Sequence, residues 1–260
     1  MRKILLIILC GLFLAISPCE AAVDFEADES EYLSQNDGLS TDISGADQKL
    51  SICAWFKAET LTDQQTMVSK FGGSPQSAYI LFLNTTGGLW RGQFFIDASG
   101  NFGDYSVASS GTGIAAGEWH HVCGVYNDTD VRAYLNGVVG TPDAHTTGVF
   151  GSTSTFDIGR RNDSGTPAYF DGVIDEVYVW NTDISADEVA QIYNSKLKGV
   201  GRNIKSANLQ LYCSLDECPI GADNCSSNFN CSPGSVMAPA NTPSGEATIL
   251  NLPQGIIQGQ

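Results

Sequence analysis

Histidine, positive charge and nucleophile motifs are scarce in this sequence, and each scarcity narrows the chemistry. There are three histidines, at 120, 121 and 145, which leaves little for a catalytic or metal-binding triad. No G-x-S-x-G, H-E-x-x-H, phosphate loop or dinucleotide fingerprint is present, so readings that need those motifs fall away. Carboxylates alone can perform glycoside chemistry, so an enzyme is not excluded on this ground. No C-x-x-C pair occurs, which argues against a zinc site. Lys and Arg total 13 against 29 Asp and Glu, a formal charge of −16. Such a field repels nucleic acid and anionic lipid. It suits a soluble extracellular protein, or one that binds cations. After the N-terminus no stretch is long and apolar enough to make a transmembrane segment, and no internal repeat is visible.

What is present begins with an export signature. Arg2 and Lys3 precede an apolar run, Ile4–Ile16, and SPCEAA then supplies small residues for cleavage. Residues 1–22 are therefore read as a signal peptide, cut after Ala21 or Ala22. Cys19 offers a lipid-anchor alternative, which the preceding Pro18 fits poorly. Losing Arg2, Lys3 and Glu20 takes away a net +1 and moves the charge from −16 to −17. It also removes Cys10 and Cys19, leaving Cys53, Cys123, Cys213, Cys218, Cys225 and Cys231. An even count in an exported chain points to disulfides. Cys53 and Cys123 lie in separate strand-like runs; they either pair across a sandwich or sit as small core residues. The last four, spaced C-x4-C-x6-C-x5-C, allow about three pairings, and spacing does not choose among them.

Short β-rich runs recur between Gly, Asn, Asp and Ser. Examples are LSICAWFKA (50–58), AYILFLN (78–84), LWRGQFFIDA (89–98), WHHVCGVYN (119–127), VRAYLNG (131–137) and FDGVIDEVYVW (170–180). Several alternate in polarity, as half-buried antiparallel strands do. Asn136-Gly137 between two strands signals a hairpin. The pattern predicts an all-β sandwich rather than a parallel α/β fold. One helix is signalled. Ser185 can cap it, Glu188 completes a capping box, and Val189, Ile192 and Tyr193 share a face. Lys196 and Lys198 suit its C-terminal end, and Gly199 can stop it. ANLQLYCSL (207–215) reads as one more strand. Residues 216–260 are rich in Cys, Asn, Ser, Pro and Gly, and read as a disulfide-tied loop followed by a loose, irregular tail.

Two stretches carry a family likeness. GEWHHVCGVYNDTDVRAYLNG (117–137) resembles the W-H-H-V-A-x-x-Y-D-G … Y-x-N-G hairpin of LamG-like jelly-roll domains, of the concanavalin A-like lectin/glucanase superfamily. FDGVIDEVYVWNTDISADEVAQIY (170–193) is similar to their F-x-G-x-I-D-E-V segment and the helix after it. Cys123 replaces the usual Ala, and NDT replaces an Asp-Gly turn. The resemblance covers residues 23–215 and implies an antiparallel jelly-roll β-sandwich with one short helix, followed by the Cys-rich tail. His120 and His121 are adjacent in a strand, so they face opposite sides and cannot both enter one site.

The start of the sandwich, VDFEADESEYLS (23–34), contains Glu26, Asp28 and Glu31 in the spacing E-x-D-x-x-E. Retaining β-glucanases use that spacing, but on a central strand of a concave face. Here it falls close to the expected cleavage point, in the frame of a first strand. The resemblance also implies one calcium at the sandwich edge. Asp175 is the side-chain ligand it points to, with Asp24, Glu26 or Asp28 nearby, and carbonyls or waters completing the oxygen shell. Sugar binding calls for exposed aromatics beside polar groups, and Trp90, Phe102, Tyr105 and Tyr169 are the candidates. The expected function is a secreted or cell-surface, non-catalytic recognition or adhesion module for a glycan or an extracellular protein, with calcium as its expected cofactor. The alternatives are a small hydrolase using Glu26 and Glu31, or a structural subunit joined through the Cys-rich tail.

Overall fold

Alternation of apolar and polar residues gives each strand one buried face, and two sheets of such strands pack together. The computed structural model describes residues 22–37, 41–163, 165–195, 197–215, 229–231 and 235–240, the last two segments by their backbone. In chain order the elements are β1 (Val23–Phe25), β2 (Tyr32–Gln35), β3 (Leu50–Ala58), β4 (Gln65–Phe71), β5 (Ser77–Thr86), β6 (Leu89–Asp97), β7 (Tyr105–Thr112), β8 (His120–Tyr126), β9 (Asp130–Leu135), β10 (Val138–Val139), β11 (Asp143–Ala144), β12 (Phe156–Ile158), β13 (Arg160–Arg161), β14 (Ala168–Tyr169), β15 (Gly172–Trp180), α1 (Ala186–Ser195), β16 (Leu209–Cys213), β17 (Phe229–Cys231) and β18 (Ser235–Ala240). Sheet A runs β1-β15-β3-β8-β9-β10, with β16 on β15 and β11 on β9. Sheet B runs β17-β18-β2-β12-β4-β5-β6-β7. A separate hairpin joins β13 to β14. This is the antiparallel jelly-roll sandwich with one short helix that the sequence predicts.

The core lies between the sheets. Ile52, Ala54 and Phe56 of β3, with Val122 of β8 and Ile174, Val177 and Val179 of β15, meet Leu81, Leu83, Phe94 and Ile96 of sheet B. Gly124 lets the sheets approach, since a Cβ there would stand 2.1 Å from the Phe94 ring. Asn136 and Gly137 have φ of 51° and 80°, the two positive values a type I′ hairpin turn requires.

The outer face of sheet A is covered. Tyr134, Tyr178, Trp180 and Tyr212 project outward and pack with Val189 and Ile192 of α1 and with Ile204. The capping box forms as expected: Glu188 N donates to Ser185 Oγ at 3.2 Å, and Ser185 N donates to Glu188 Oε2 at 2.7 Å. Trp180 Nε1 donates to the Ile204 carbonyl at 2.8 Å. Glu176, buried in a bulge of β15 at φ 51°, accepts bonds from Gly199 N at 2.6 Å, from Tyr212 OH at 2.6 Å and from Tyr178 OH. These ties hold the helix and the following turns on the sheet.

Two expectations need correction. Cys53 and Cys123 are bonded, but not across the sandwich. They stand opposite each other on β3 and β8 with Cα atoms 4.1 Å apart. The alternation of both strands puts them on the outer face of one sheet, so the bridge runs along sheet A. The segment 216–260, read as irregular, contains β17 and β18. β18 pairs with β2, opposite Tyr32, Leu33 and Ser34, and so covers an edge that would otherwise leave backbone groups unpaired. Cys213 is also disulfide-bonded. Cys218 and Cys225 lie outside the described residues, as do residues 1–21 and Lys196, and Cys231 is described by its backbone.

Candidate functional site

With sheet A capped by α1, the broad surface left among the described residues is the outer face of sheet B. Strand register defines what it carries. Asp157 pairs with Ser34 and Ser69, Ser69 with Ile80, Ile80 with Phe95, and Phe95 with Val107, so these residues form one row across six strands. On one side of this row lie Phe82, Gln93 and Ser109, with Asn84 and Arg91 beyond them. Asn84 Nδ2 donates to Gln93 Oε1 at 3.0 Å, and Gln93 Nε2 donates to Ser109 Oγ at 2.7 Å. On the other side Tyr105 stacks on Phe95 at 5.5 Å, and Phe102 joins Phe71, Phe95 and Tyr105 at 5.7, 6.1 and 6.5 Å.

The hairpin β13–β14 packs against β4 and hides that half of the face. Ser69 Oγ donates to the Arg160 carbonyl at 2.7 Å, and the Arg161 guanidinium lies 5.7 Å from the Phe71 ring centre. The accessible part is the β6–β7 strip, with Arg91, Gln93, Val107 and Ser109 half-buried and Phe102 and Tyr105 exposed by 42% and 52%. An aromatic step next to a row of amides and a hydroxyl is the surface chemistry that sugars and polar-apolar protein loops both fit.

Phe102 is held in place by its loop. Its φ is 65°, rare for a bulky side chain. Asp97 supports that conformation. Its Oδ1 accepts bonds from Ser99 N, Ser99 Oγ and Gly100 N at 2.8, 2.7 and 3.1 Å, and its Oδ2 from Ser77 Oγ and Phe102 N at 2.6 and 2.9 Å. Burial pushes the Asp97 carboxyl up, but the Ser77 and Ser99 hydroxyls and the loop amides outweigh it and hold the group below the usual range. Ser99 Oγ accepts in turn from Gly103 N and Asp104 N at 3.0 and 3.1 Å. Five donors saturate Asp97, so its role is to shape the loop.

A second gathering lies at the edge of sheet A. β1 pairs with β15, bringing Asp24 opposite Val173 and Phe25 opposite Gly172. Asp24, Glu26, Glu59 and Asp171 repel one another there, with Lys57 as a nearby cation. Asp24 is pushed up first by burial and then by Glu59, and Glu26 first by burial and then by Asp24. Asp24 Oδ1 is buried with no hydrogen-bond partner among the described residues. Glu31 Oε2 accepts the Glu26 amide at 2.7 Å, closing a turn in which Glu31 N also donates to the Glu26 carbonyl at 3.3 Å. Burial pushes Glu31 up to about 7, against that amide bond and together with Glu26 and Asp24.

The residues singled out from sequence divide accordingly. Asp24, Glu26 and Asp28 lie at the acidic edge. Asp175 shares the Asp24 face of sheet A, two residues along β15 from Val173, but its side chain is engaged: its Oδ2 pairs with Lys198 at 3.0 Å and its Oδ1 accepts Glu176 N at 2.9 Å. Asp171 and Glu59, which sequence reasoning missed, are the neighbours that Asp24 has. An oxygen-only set with a buried, unpartnered Asp24 oxygen fits a hard cation. Among the described residues no three carboxylates bring oxygens within 4.8 Å of one another, so carbonyls or water must complete a shell. Cys53, His121 and Cys123 do converge, but their sulfurs are joined to each other. His121 is fully buried and pushed down to about 3 by burial, and its ring lies tilted against Trp55 at 5.1 Å. His120 lies tilted against Phe56 at 5.6 Å on the opposite side of β8.

Tyr105 and Phe102 share the sheet B strip. Trp90 does not, because it points inward from β6 and packs on the core. Tyr169 sits on the β13–β14 hairpin, 6.4 Å from Tyr32. Glu26 and Glu31 belong to one turn at the sheet A edge. A retaining glycosidase instead sets two carboxylates ~5–5.5 Å apart on either side of the sugar bond.

Comparisons with known proteins agree with this architecture. Among curated proteins none matches the sequence. Among solved structures, a Bacteroides ovatus protein described as a candidate carbohydrate-binding protein superposes with a TM-score of 0.60 at 16% identity, over 85% of this chain and 58% of the other. The chain thus spans little more than half of that neighbour. A heptameric SAP-like pentraxin from Limulus polyphemus gives a TM-score of 0.55 at 15% identity, over 84% and 93%. Residues 30–190 match the family model of the concanavalin A-like lectin/glucanases superfamily, and the chain belongs to that family.

Proposed function

We propose that the chain is a secreted, non-catalytic recognition module that binds glycan on the outer face of sheet B. The observation that carries this reading is the exposed Phe102–Tyr105 step beside the Asn84–Gln93–Ser109 row, on a broad face that no helix covers among the described residues. Aromatic rings take the C–H face of a sugar, and amides and hydroxyls take its rim. Membership of the lectin/glucanases superfamily supports the glycan ligand, as does the carbohydrate-binding description of the Bacteroides ovatus neighbour. The Glu31 carboxylate, turned back on its own turn, supports a role without catalysis. Disulfide bonding and the N-terminal export signature support secretion. The test is a glycan array probed with the purified chain and with Tyr105→Ala. Binding by the parent that weakens in the variant supports the reading, and binding that is unchanged in the variant contradicts the assigned face.

The acidic edge is the proposed calcium site, with Asp24 as the side-chain ligand, carbonyls and water completing the shell, and Glu26, Glu59 and Asp171 supplying the surrounding negative charge, with Asp28 close in sequence. Bound there, the ion would neutralise the mutual repulsion of these groups and tie β1 to β15. It is a structural role, separate from the sheet B face.

A further inference from the structure

We infer that Asn127 is a site of covalent modification, the acceptor of an N-linked oligosaccharide at the tip of the β8–β9 hairpin. The inference rests on the export half of the reading above and is independent of what the sheet B face binds. Sequons of the form N-x-S/T occur at Asn84, Asn127, Asn162, Asn224 and Asn230. In an exported chain such a triplet offers an acceptor amide in a surface loop, and local geometry distinguishes one sequon from another.

Asn127, Asp128 and Thr129 form the turn between β8 and β9, with Thr129 exposed and the other two half-buried. Asp128 sits at φ 74°, a left-handed value that Asp tolerates. That bend brings Thr129 back to Asn127. Asn127 Oδ1 accepts bonds from Thr129 Oγ1 at 2.9 Å, from Thr129 N at 3.0 Å and from Asp130 N at 2.8 Å. Three donors on one oxygen fix the plane of the amide. Its Nδ2 has no partner among the described residues and is not buried. The hydroxyl that defines the sequon thus already holds the amide oxygen, and the nitrogen is open to solvent. Every one of these bonds spans three residues or fewer, so the turn closes without the rest of the sandwich. A transferase that meets the chain during export therefore meets the same turn.

Asn84 is built differently. It lies on β5, where its Nδ2 donates to Gln93 Oε1 at 3.0 Å and its Oδ1 accepts the adjacent Thr85 N at 2.8 Å. Among the described residues Thr86, the hydroxyl of that sequon, is not one of its partners. Ser164 of the Asn162 sequon lies outside the described residues, as do Asn224 and the side chain of Asn230.

The substrate class is an oligosaccharide carried on a lipid diphosphate and presented by a transferase. Asn127 Nδ2 attacks C1 of the first sugar, the bond from C1 to the diphosphate oxygen breaks, and the lipid diphosphate leaves with the electron pair. One Nδ2 proton passes to a base of the transferase. The modified amide keeps Oδ1, so the three bonds that close the turn survive.

The test expresses the full chain, with its own leader, in a eukaryotic secretory host. Peptides from cells and medium are mapped by mass spectrometry after enzymatic removal of N-glycans in heavy-oxygen water. The expected result is secreted chain with Asn127 converted to labelled Asp in most molecules and Asn84 in a minority. Asn127→Gln and Thr129→Ala should each abolish the label at this position with the circular dichroism spectrum unchanged, while Thr129→Ser retains it. Secreted chain with an unlabelled Asn127, from cells that glycosylate a control sequon, would overturn the inference. So would label concentrated at Asn84, or label that persists at Asn127 in Thr129→Ala. Chain retained in the cytosol would instead overturn the export reading, and placing the host's own signal peptide before residue 23 then puts Asn127 to the same test.

Discussion

At the scale of single residues, two carboxyls act in opposite senses. Asp97 is held below the usual carboxylate range, so it contributes stability above its unfolded value, near 4, and loses it as pH falls below that. Asp97→Ala removes five acceptor bonds from the Phe102 loop. Its expected effect is glycan binding at least about 5-fold weaker, with the far-ultraviolet spectrum unchanged, measured by titration calorimetry. Glu31 is held up, at about 7 against 4.5. Its stabilisation is complete below about 4.5 and lost as pH climbs to about 7, the reverse of Asp97. In chelator the melting temperature should therefore drift down across that interval, and Glu31→Gln should flatten the slope; an equal slope in both proteins would show Glu31 to be ionised throughout. Of these groups the sequence marked Tyr105 and Phe102 by their Gly-rich setting, and Glu26 and Glu31 by spacing. Arg91, Gln93 and Ser109 were illegible because their shared face depends on register between β6 and β7, which a one-residue slip would invert.

At the scale of elements, local signals read well and long-range pairings read poorly. The Asn136-Gly137 turn and the Ser185–Glu188 capping box need only neighbours within a few residues, and both formed as expected. The acidic edge needs β15 to lie between β1 and β3, which brings Asp171 and Glu59 to Asp24 from far along the chain. The resemblance pointed to Asp175, four residues further on, whose side chain carries the Lys198 ion pair beside the bulge at Glu176. The Cys53–Cys123 bridge closes a loop of 70 residues. Replacing both cysteines by Ala should lower stability on the order of 4 kcal/mol, read from the denaturant midpoint, by freeing the unfolded chain. A change under about 1 kcal/mol would mean that β3–β8 pairing alone sets the order of sheet A.

At the scale of the whole molecule, the sandwich assigns its surfaces by what covers them. Helix α1 and the turns after it close sheet A, β18 closes the β2 edge, and the β13–β14 hairpin closes the β4 side of sheet B. Among the described residues the β6–β7 strip of sheet B stays open, and a separate acidic edge lies on sheet A. Calcium should raise the melting temperature through that edge, and Asp24→Asn should reduce the gain, without either change altering which sugars bind. The measurement that tests the central assignment most directly is backbone amide shift mapping by nuclear magnetic resonance during titration with the best oligosaccharide from the array. The expected result is a contiguous set of perturbed amides at Arg91, Gln93, Phe102, Tyr105, Val107 and Ser109, unchanged by calcium. Perturbations centred instead on Asp24, Glu26, Glu59 and Asp171, or on the β9–β10 hairpin, would contradict it.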